Sequence, residues 1–259
     1  MKTAKKFQEL QLKLELWMTN ITLIIGASSE IGLNLIKSID EECLIIAHFY
    51  KSSSELDILS RNIKNKLVLI QSDLSQEIEL FNFLDTIEKH YGLPTKIVHL
   101  AAPKFKIVKF KDLTWADYQN EIDISLKALV IILNRFLPKL AKCKKGKVVC
   151  MLSSVVINMP PKALSHYITT KYALLGLVKS LAHEYASKNI QINAVSPSMV
   201  ETKFLDNIDN NFIELSAYNN PLKRNACVGD IIPVVKMLIS DDSNYITGVN
   251  IPITGGSTF

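Results

Sequence analysis

Tyr167 and Lys171 stand four residues apart in a stretch whose apolar residues recur at helical spacing. Residues with this separation lie on the same face of a helix, one turn apart. An ammonium group beside a phenol favours the phenolate, so this Tyr is suited to give or take a proton near neutral pH. Ser154 lies at the end of the β-like run 147–154 and supplies a hydroxyl that can polarise a carbonyl. Together these residue types indicate proton exchange with a carbonyl or an alcohol oxygen.

The Tyr/Lys spacing alone is a weak signal, because such pairs occur by chance in many helices. The ordinary alternative is a half-buried Tyr beside a surface Lys. The surrounding elements must therefore decide whether the pair belongs to a reaction centre.

Short β-branched runs alternate with helical patterns along the chain. The predicted strands are 20–25, 43–47, 67–70, 96–102, 147–152, 190–195 and 250–253. The predicted helices are 33–39, 52–65, 78–90, 112–140 (ended by Pro138 and the Lys/Gly turn at 144–146), 165–188, a short helix between Pro197 and Pro221, and 228–240. Such alternation predicts an α/β, Rossmann-like, doubly wound parallel seven-stranded sheet with helices on both faces. We expect a single domain over 20–259. Residues 1–19 form an N-terminal extension: either residues 1–17 are a small appended element, or translation starts at Met18.

The first predicted strand ends at Gly26, and the segment 26–32 leads from it into a helix. A strand, a glycine turn and a helix in this order point backbone N–H groups and the helix N-terminus at a phosphate. The segment therefore predicts a nucleotide-binding turn.

Composition narrows the possible functions of the chain. It has 259 residues, a net charge of +5, 48% hydrophobic and 21% charged residues. The positive charge is spread out, and no basic block with interleaved aromatic residues argues for nucleic acid. No apolar run is long enough to predict a membrane span. The four Cys residues lack metal-ligand spacing, so we expect no metal site and reduced thiols in a cytoplasmic protein.

Several motifs occur in an order that resembles the short-chain dehydrogenase/reductase family, single-domain type. They are Gly26-Ala-Ser-Ser-Glu-Ile-Gly32, Asp73-Leu74, His99-Leu-Ala-Ala102, Ser154 with Tyr167 and Lys171, Asn193-Ala-Val-Ser-Pro197-Ser-Met-Val-Glu-Thr202, and Ile246-Thr-Gly-Val-Asn-Ile-Pro-Ile-Thr-Gly-Gly256. The resemblance runs from about residue 20 to residue 259. The chain is most similar in pattern to 3-oxoacyl-[acyl-carrier-protein] reductases and to sugar or polyol dehydrogenases.

The resemblance implies hydride transfer between a nicotinamide and a carbonyl or alcohol carbon. Tyr167 would be the acid in reduction and the base in oxidation. Lys171 would lower the pKa of Tyr167 and hydrogen-bond the nicotinamide ribose, while Ser154 would hold the substrate oxygen. Ser125 stands where the family has an Asn that holds a relay water, so it is a relay candidate with shorter reach. The implied cofactor-binding residues are Gly26, Ser28, Ser29, Ile31, Gly32, Lys51, Asp73, Leu74, Ala101, Ala102, Tyr167, Lys171, Pro197, Val200 and Thr202.

Two residues of the glycine motif depart from the family pattern. Ile25 replaces its Thr, and Glu30 replaces its middle Gly. One interpretation is that the Glu30 side chain points to solvent at a helix N-terminus, where an acid is favourable. The other is that the carboxylate weakens cofactor binding. The first is our expectation.

The end of the second strand indicates the cofactor. NAD sites place an acid there for the ribose hydroxyls. The segment 47–54 has no acid, whereas Lys51 and neighbouring serines suit a 2′-phosphate, so NADP(H) is favoured over NAD(H). His48 is either a further phosphate contact or a packed residue. The favoured function is thus an NADP(H)-dependent ketoreductase of the 3-oxoacyl-[acyl-carrier-protein] reductase type. Two other functions remain open: an NAD-dependent sugar or polyol dehydrogenase, and a non-catalytic dinucleotide-binding protein.

The segment 197–225 corresponds to the family's variable substrate loop. It carries apolar residues at 204, 205, 212, 213, 215 and 218, typical of a helix that covers the site. With residues 159–161 and His166 at the pocket border, it favours a moderately apolar small-molecule carbonyl or alcohol substrate. The family also implies a homodimer or homotetramer formed by the helices 112–140 and 165–188 and the C-terminal strand. The apolar positions Ile122, Leu126, Leu129, Val130 and Leu133 are equally compatible with packing on the chain's own sheet.

Overall fold

A computed structural model describes residues 20–258, so the predicted extension over 1–19 lies outside the described residues. Seven strands form one parallel sheet with the order β3-β2-β1-β4-β5-β6-β7. They are β1 (Ile21–Ile25), β2 (Leu44–Phe49), β3 (Lys66–Gln71), β4 (Lys96–His99), β5 (Gly146–Met151), β6 (Ile190–Pro197) and β7 (Asn250–Ile253). The predicted fold class is confirmed.

The helices connect successive strands and cover the sheet. They are α1 (Glu30–Ser38), α2 (Ser54–Ser60), α3 (Glu77–His90), α4 (Trp115–Glu121), α5 (Ala128–Cys143), α6 (Ser165–Tyr185), α7 (Asn210–Asn219) and α8 (Val228–Ile239), with a π-helical segment over Ile122–Lys127 between α4 and α5. Short 3-10 turns occur at Phe110–Asp112, Ser154–Val156, Ala186–Lys188, Lys203–Leu205 and Asp241–Ser243. No helix among the described residues is long and apolar enough to cross a membrane.

Two hydrophobic layers hold the helices on opposite faces of the sheet. On one face, α3, α5 and α6 bury residues such as Phe83, Phe136 and Leu174. On the other, α1, α2 and α8 bury residues such as Leu35 and Ile231. Burial on both faces explains why the central strands are continuous apolar runs.

The strand order reverses at β1, which pairs with β2 on one side and with β4 on the other. At its carboxyl end, Ile25 is in register with His48 of β2 and His99 of β4. The loops that follow β1 and β4 leave in opposite directions there. A crevice at this reversal is the usual ligand site of such sheets.

The predicted helix 112–140 is wrong in its limits and its continuity. It begins at Trp115, where Thr114 and Asp117 form a capping box. It changes to π-helical pairing before α5 and does not end at Pro138. Leu137 and Leu140, close to Pro138 in the helix, remain buried on the sheet. Their packing outweighs the cost of a proline inside the helix. The helix ends at Cys143, directly before the predicted Lys/Gly turn at 144–146, where Lys144 has φ 51°.

Other boundaries also differ from the predictions. Of the predicted helix 52–65, only α2 is helical. Asn65 lies outside the helix, where its side chain accepts a hydrogen bond from Cys43 N and donates one to Ile39 O. The strand predicted over 96–102 ends at His99. Ala101 and Ala102 therefore belong to the loop at the crevice.

Candidate active site

A cavity of about 1110 Å³ opens at the carboxyl ends of β1 and β4. The predicted site residues among its lining are Gly26, Ser28, Ser29, Ile31, Lys51, Asp73, Leu74, Ala101, Ala102, Ser154, Tyr167, Lys171, Pro197, Val200 and Thr202. Gly32 and Ser125, also predicted, are buried behind its wall. The fold thus brings residues from the loops after all seven strands, Ser257 and Thr258 after β7 included, to one concave site.

The turn after β1 requires glycine for two physical reasons. Gly26 has φ +81°, and a Cβ there would lie 2.9 Å from the backbone N of Ala101. At Gly32 a Cβ would lie 2.5 Å from the carbonyl O of Ala27. The turn can therefore pack closely on both the β4 loop and α1 only with these two glycines.

The N-terminus of α1 faces this turn. The Ser29 hydroxyl accepts a hydrogen bond from Gly32 N at 3.1 Å and donates one to Gly26 O at 2.8 Å. Among the described residues, no partner is assigned to the backbone N–H groups of Glu30 and Ile31. Free N–H groups at a helix N-terminus suit a phosphate, so the turn fits the diphosphate of a dinucleotide.

His48 borders the cavity, but both of its ring nitrogens are hydrogen-bonded to the backbone around the turn. Its Nδ1 accepts a hydrogen bond from Gly26 N at 3.2 Å, and its Nε2 donates to Ser72 O at 3.0 Å. Burial lowers the pKa of His48 to about 4, against smaller opposing effects from Ser72 and Asp73. The imidazole is therefore neutral, with the proton on Nε2, and the packing alternative for His48 applies.

From the sequence we expected the Glu30 side chain to point to solvent. In the structure it makes a specific contact instead. Its Oε1 accepts a hydrogen bond from the backbone N of Lys203 at 2.8 Å, and Glu30 also lines the cavity. The Lys203 ammonium pairs with Glu55 at 2.8 Å. The segment after β6 is thus attached to the N-terminal ends of α1 and α2.

Tyr167 and Lys171 are both buried on α6, at 7% and 4% exposure. The Lys171 Nζ lies 5.4 Å from the centre of the Tyr167 ring and donates a hydrogen bond to Met151 O at 2.9 Å. This bond fixes the ammonium at the end of β5, beside the serines that follow the strand. The one-turn spacing predicted from the sequence places both side chains on the cavity.

Two serines, not one, line the cavity after β5. Ser153 is extended, with φ −163° and ψ 154°, and its hydroxyl accepts a 3.5 Å hydrogen bond from Val155 N. Ser154 is the first residue of the 3-10 turn that follows. The sequence pattern selected Ser154, and Ser153 borders the same cavity.

Aromatic side chains that the sequence did not single out as a group border Tyr167. The Phe105 ring meets Tyr167 edge-on at 5.1 Å between centroids, and Phe204 lies 5.5 Å from Phe105. Met159 and Pro161 line the same region as expected. His166 is instead buried against Tyr118, with centroids 6.3 Å apart, and is absent from the lining. Phe105 has no sequence signal of its own, because it lies in an irregular loop.

Comparison with known proteins agrees with this geometry. A family model described as enoyl-(acyl carrier protein) reductase matches residues 26–258. The 3-oxoacyl-[acyl-carrier-protein] reductase FabG of Staphylococcus aureus is 29% identical over 245 residues, covering 92% of this chain and 98% of that relative. Tropinone reductase-like 3 of Erythroxylum coca is 32% identical over 178 residues, 68% of this chain and 67% of that protein.

Solved structures share the fold. The 3-oxoacyl-[acyl-carrier protein] reductase of Brucella melitensis superposes with a TM-score of 0.82 at 20% identity, covering 92% of this chain and 90% of that one. ElxO with NADP bound gives a TM-score of 0.81 at 23% identity, covering 92% and 98%. Since the family model spans nearly all of the described residues, the chain belongs to the short-chain dehydrogenase/reductase family of NAD(P)-dependent oxidoreductases.

Proposed function

We propose that this enzyme is an NADP(H)-linked carbonyl reductase of the 3-oxoacyl-thioester type, acting through Ser154, Tyr167 and Lys171. The observation that carries the proposal is their convergence: all three line one cavity, which also contains the glycine turn at Gly26. The proton donor Tyr167 and the glycine turn that would bind the dinucleotide therefore belong to one site.

The chain's own groups fit the cofactor. The free N–H groups of Glu30 and Ile31 would hold its diphosphate, and Lys171 would hold the nicotinamide ribose. When bound, the nicotinamide supplies a hydride to a carbonyl carbon or accepts one from an alcohol carbon.

The proton side of the reaction belongs to the protein. Ser154 would hold the substrate oxygen by donating a hydrogen bond. Tyr167 would transfer its phenolic proton to that oxygen in reduction and remove it in oxidation. Lys171, one turn away and fixed by Met151 O, would stabilise the resulting phenolate.

The apolar wall beside Tyr167 supports a substrate with a hydrocarbon part. Phe105, Phe204, Met159 and Leu205 line the same end of the cavity. Several relatives, including that of Staphylococcus aureus, are named 3-oxoacyl-[acyl-carrier-protein] reductases. A sugar or polyol would leave this wall unmatched, so we place the acyl substrate first.

The preference for NADP(H) rests on the loop after β2. Lys51 and Tyr50 line the cavity there, and the Lys51 ammonium lies 5.1 Å from the centre of the Tyr50 ring. An exposed cation beside an aromatic ring suits a 2′-phosphate next to an adenine. His48 takes no part in binding the 2′-phosphate, because it is buried and neutral.

We also propose a homodimer or homotetramer. Leu129 and Leu133 are buried on the chain's own sheet, whereas Val130 on α5 and Tyr172 on α6 are exposed at 41% and 44%. These outward residues remain available for a second copy. Light scattering of the purified protein tests this: a monomer at all concentrations would contradict it.

The test of the reaction follows nicotinamide absorbance with NADPH and with NADH. The substrates are 3-oxoacyl thioesters, with sugars and polyols in the oxidative direction. We expect reduction of the thioesters with NADPH. Tyr167→Phe should lose about 10²- to 10⁴-fold in rate while still binding NADPH by fluorescence.

Tyr172→Phe, on the exposed face of the same helix, is the matched control and should retain activity. Oxidation of sugars or polyols with NAD would favour the dehydrogenase alternative. Cofactor binding without turnover of any substrate, equal in wild type and Tyr167→Phe, would favour a non-catalytic dinucleotide-binding protein.

A further inference from the structure

Three polar side chains, on α4, on the π-helical segment and on β4, are buried without a hydrogen-bond partner. They are Glu121, Ser125 and His99, at 4%, 0% and 1% exposure, and their unpartnered atoms are Oε2, Oγ and Nε2. Buried polar atoms without partners are uncommon in folded proteins, and a group of them indicates bound water or a chemical role. None of the three lines the large cavity, so they form a second polar layer behind it.

The helix contacts bring this layer to Lys171. Tyr118 donates a hydrogen bond to Ser165 Oγ at 2.8 Å, which joins α4 to the first turn of α6. Glu121 follows Tyr118 by one helical turn, on the same face. The Lys171 ammonium acts electrostatically on both Glu121 and His99. Its bond to Met151 O uses one of its three N–H donors.

The π-helical segment adjoins the layer. It starts directly after Glu121 and contains Ser125. A π turn places an extra residue in the helix, widens it locally and is common at functional sites. A water between Ser125 and Lys171 would find the polar partners that a buried water needs.

We propose that Glu121 is a positioning and proton-storing residue that resupplies Tyr167 through Lys171 and a water held by Ser125. The proposal rests on the proposed reductase function. Glu121 would be a second relay group beside Ser125, whose side chain is shorter than the Asn that the family has at this position.

The proton balance in reduction is as follows. The substrate carbonyl carbon takes up the hydride of the proposed reaction, and its oxygen takes the phenolic proton of Tyr167. The phenolate takes a proton from the Lys171 ammonium, and the amine takes one from the water. The O–H bond of the Glu121 carboxylic acid breaks to restore the water, and solvent later reprotonates the carboxylate.

The electrostatics of the site support a carboxyl that exchanges protons near neutrality. Burial raises the pKa of Glu121 to about 7, and the ammonium groups of Lys171 and Lys106 oppose that rise only in part. The charges facing Glu121 are therefore Lys171 on α6 and Lys106 in the loop after β4. Burial also lowers the pKa of His166, which packs against Tyr118, and Asp117 opposes that change.

The experiment compares Glu121→Gln and Ser125→Ala with Asp123→Asn. Asp123 is a carboxylate of the same π segment that pairs with Lys127 at 2.9 Å instead of facing α6. The first readout is kcat and KM for thioester reduction between about pH 5.5 and pH 9. The second is the infrared band of the protonated carboxylic acid in the protein without substrate.

We expect Glu121→Gln to lower kcat by about tenfold with little change in KM, less than the ~100-fold typical of a group that touches the substrate. The pH-rate limb near 7 should disappear. The infrared band should titrate near pH 7 in the wild type and be absent in Glu121→Gln, while Asp123→Asn changes neither readout. Ser125→Ala should lower kcat and retain the band.

An unchanged pH-rate limb in Glu121→Gln would overturn the proposal, as would a wild type without a carboxylic acid band titrating near neutral pH. The infrared measurement on the wild type decides even where a variant fails to fold. It also separates the two proposals: a titrating band in a protein that reduces no carbonyl would contradict the reductase, whereas an active reductase without the band would contradict only the Glu121 relay.

Discussion

The Glu30 carboxylate accepts a hydrogen bond from the backbone N of Lys203 at 2.8 Å, and both residues line the cavity. The family pattern has a glycine at position 30, so this contact is made by a side chain that departs from it. It attaches the segment between β6 and α7 to the glycine turn. The same carboxylate lies at the helix N-terminus where a diphosphate would bind, so it has two opposing effects.

Glu30→Gln should bind NADPH several-fold more tightly than the wild type. The amide oxygen can still accept from Lys203 N, while the negative charge next to the expected diphosphate is removed. Fluorescence titration measures the affinity. Weaker binding by Glu30→Gln would mean that the charge helps to build the site.

Glu30→Ala should open the Lys203 attachment. Losing one hydrogen bond of about 1 kcal/mol predicts roughly fivefold faster hydrogen exchange at the Lys203 amide. Lys203→Met is the matched control, because it removes the surface pair with Glu55 but retains the backbone N–H. Equal exchange in Glu30→Ala and wild type would show that the contact does not hold the segment.

Lys51→Ala should lower NADPH affinity by about tenfold and leave NADH affinity unchanged, since a charge-assisted contact to a 2′-phosphate contributes about 1.5–3 kcal/mol. Fluorescence titration with both nucleotides measures the ratio. Lys64→Ala, an exposed lysine in the loop before β3, controls for the change in net charge. A ratio that stays constant in Lys51→Ala would place the cofactor selectivity elsewhere.

The sequence predicted the sheet and the cavity lining well, because both depend on local patterns. Apolar runs predict buried strands. The glycine at position 26 predicts a turn, and in the structure Gly26 has a positive φ that only glycine adopts easily. The pair Tyr167/Lys171 is one helical turn apart, so its common face followed directly from spacing.

Contacts between distant segments were not predictable in this way. Nothing local distinguishes Glu121 from a surface acid on an amphipathic helix, and its burial depends on how α4 packs on α6. The attachment of Glu30 to Lys203 joins residues 173 apart in sequence. The interruption of the predicted helix 112–140 by π pairing likewise depends on tertiary packing, which overrides local propensity.

Ser154→Ala should lower kcat by about 100-fold if this hydroxyl holds the substrate oxygen. Ser153→Ala should have a smaller effect, because the Ser153 hydroxyl already accepts a hydrogen bond from Val155 N and caps the turn. Steady-state kinetics on the two single variants give the ranking. The reverse ranking would assign the oxygen-holding role to Ser153.

The contact between His48 and Gly26 predicts a pH dependence of stability. Burial lowers the pKa of His48 to about 4, below its usual 6.5. Below pH 6.5 the unfolded chain gains a proton at this residue while the folded chain does not until about pH 4. This contribution to the free energy of unfolding is therefore complete above pH 6.5 and is lost as the pH falls towards 4, by up to about 3 kcal/mol.

His48→Asn retains an acceptor for Gly26 N and removes the titration, so chemical denaturation of both proteins between pH 4 and 7.5 isolates the effect. The advantage of wild type over His48→Asn should grow as the pH rises from about 4 to 6.5 and then level off. Glu121, whose raised pKa has the opposite slope, is common to both proteins and cancels. His183→Asn, at an exposed position of α6, is the matched control for replacing a histidine by asparagine. A pH-independent difference between wild type and His48→Asn would mean that His48 is not held neutral against Gly26.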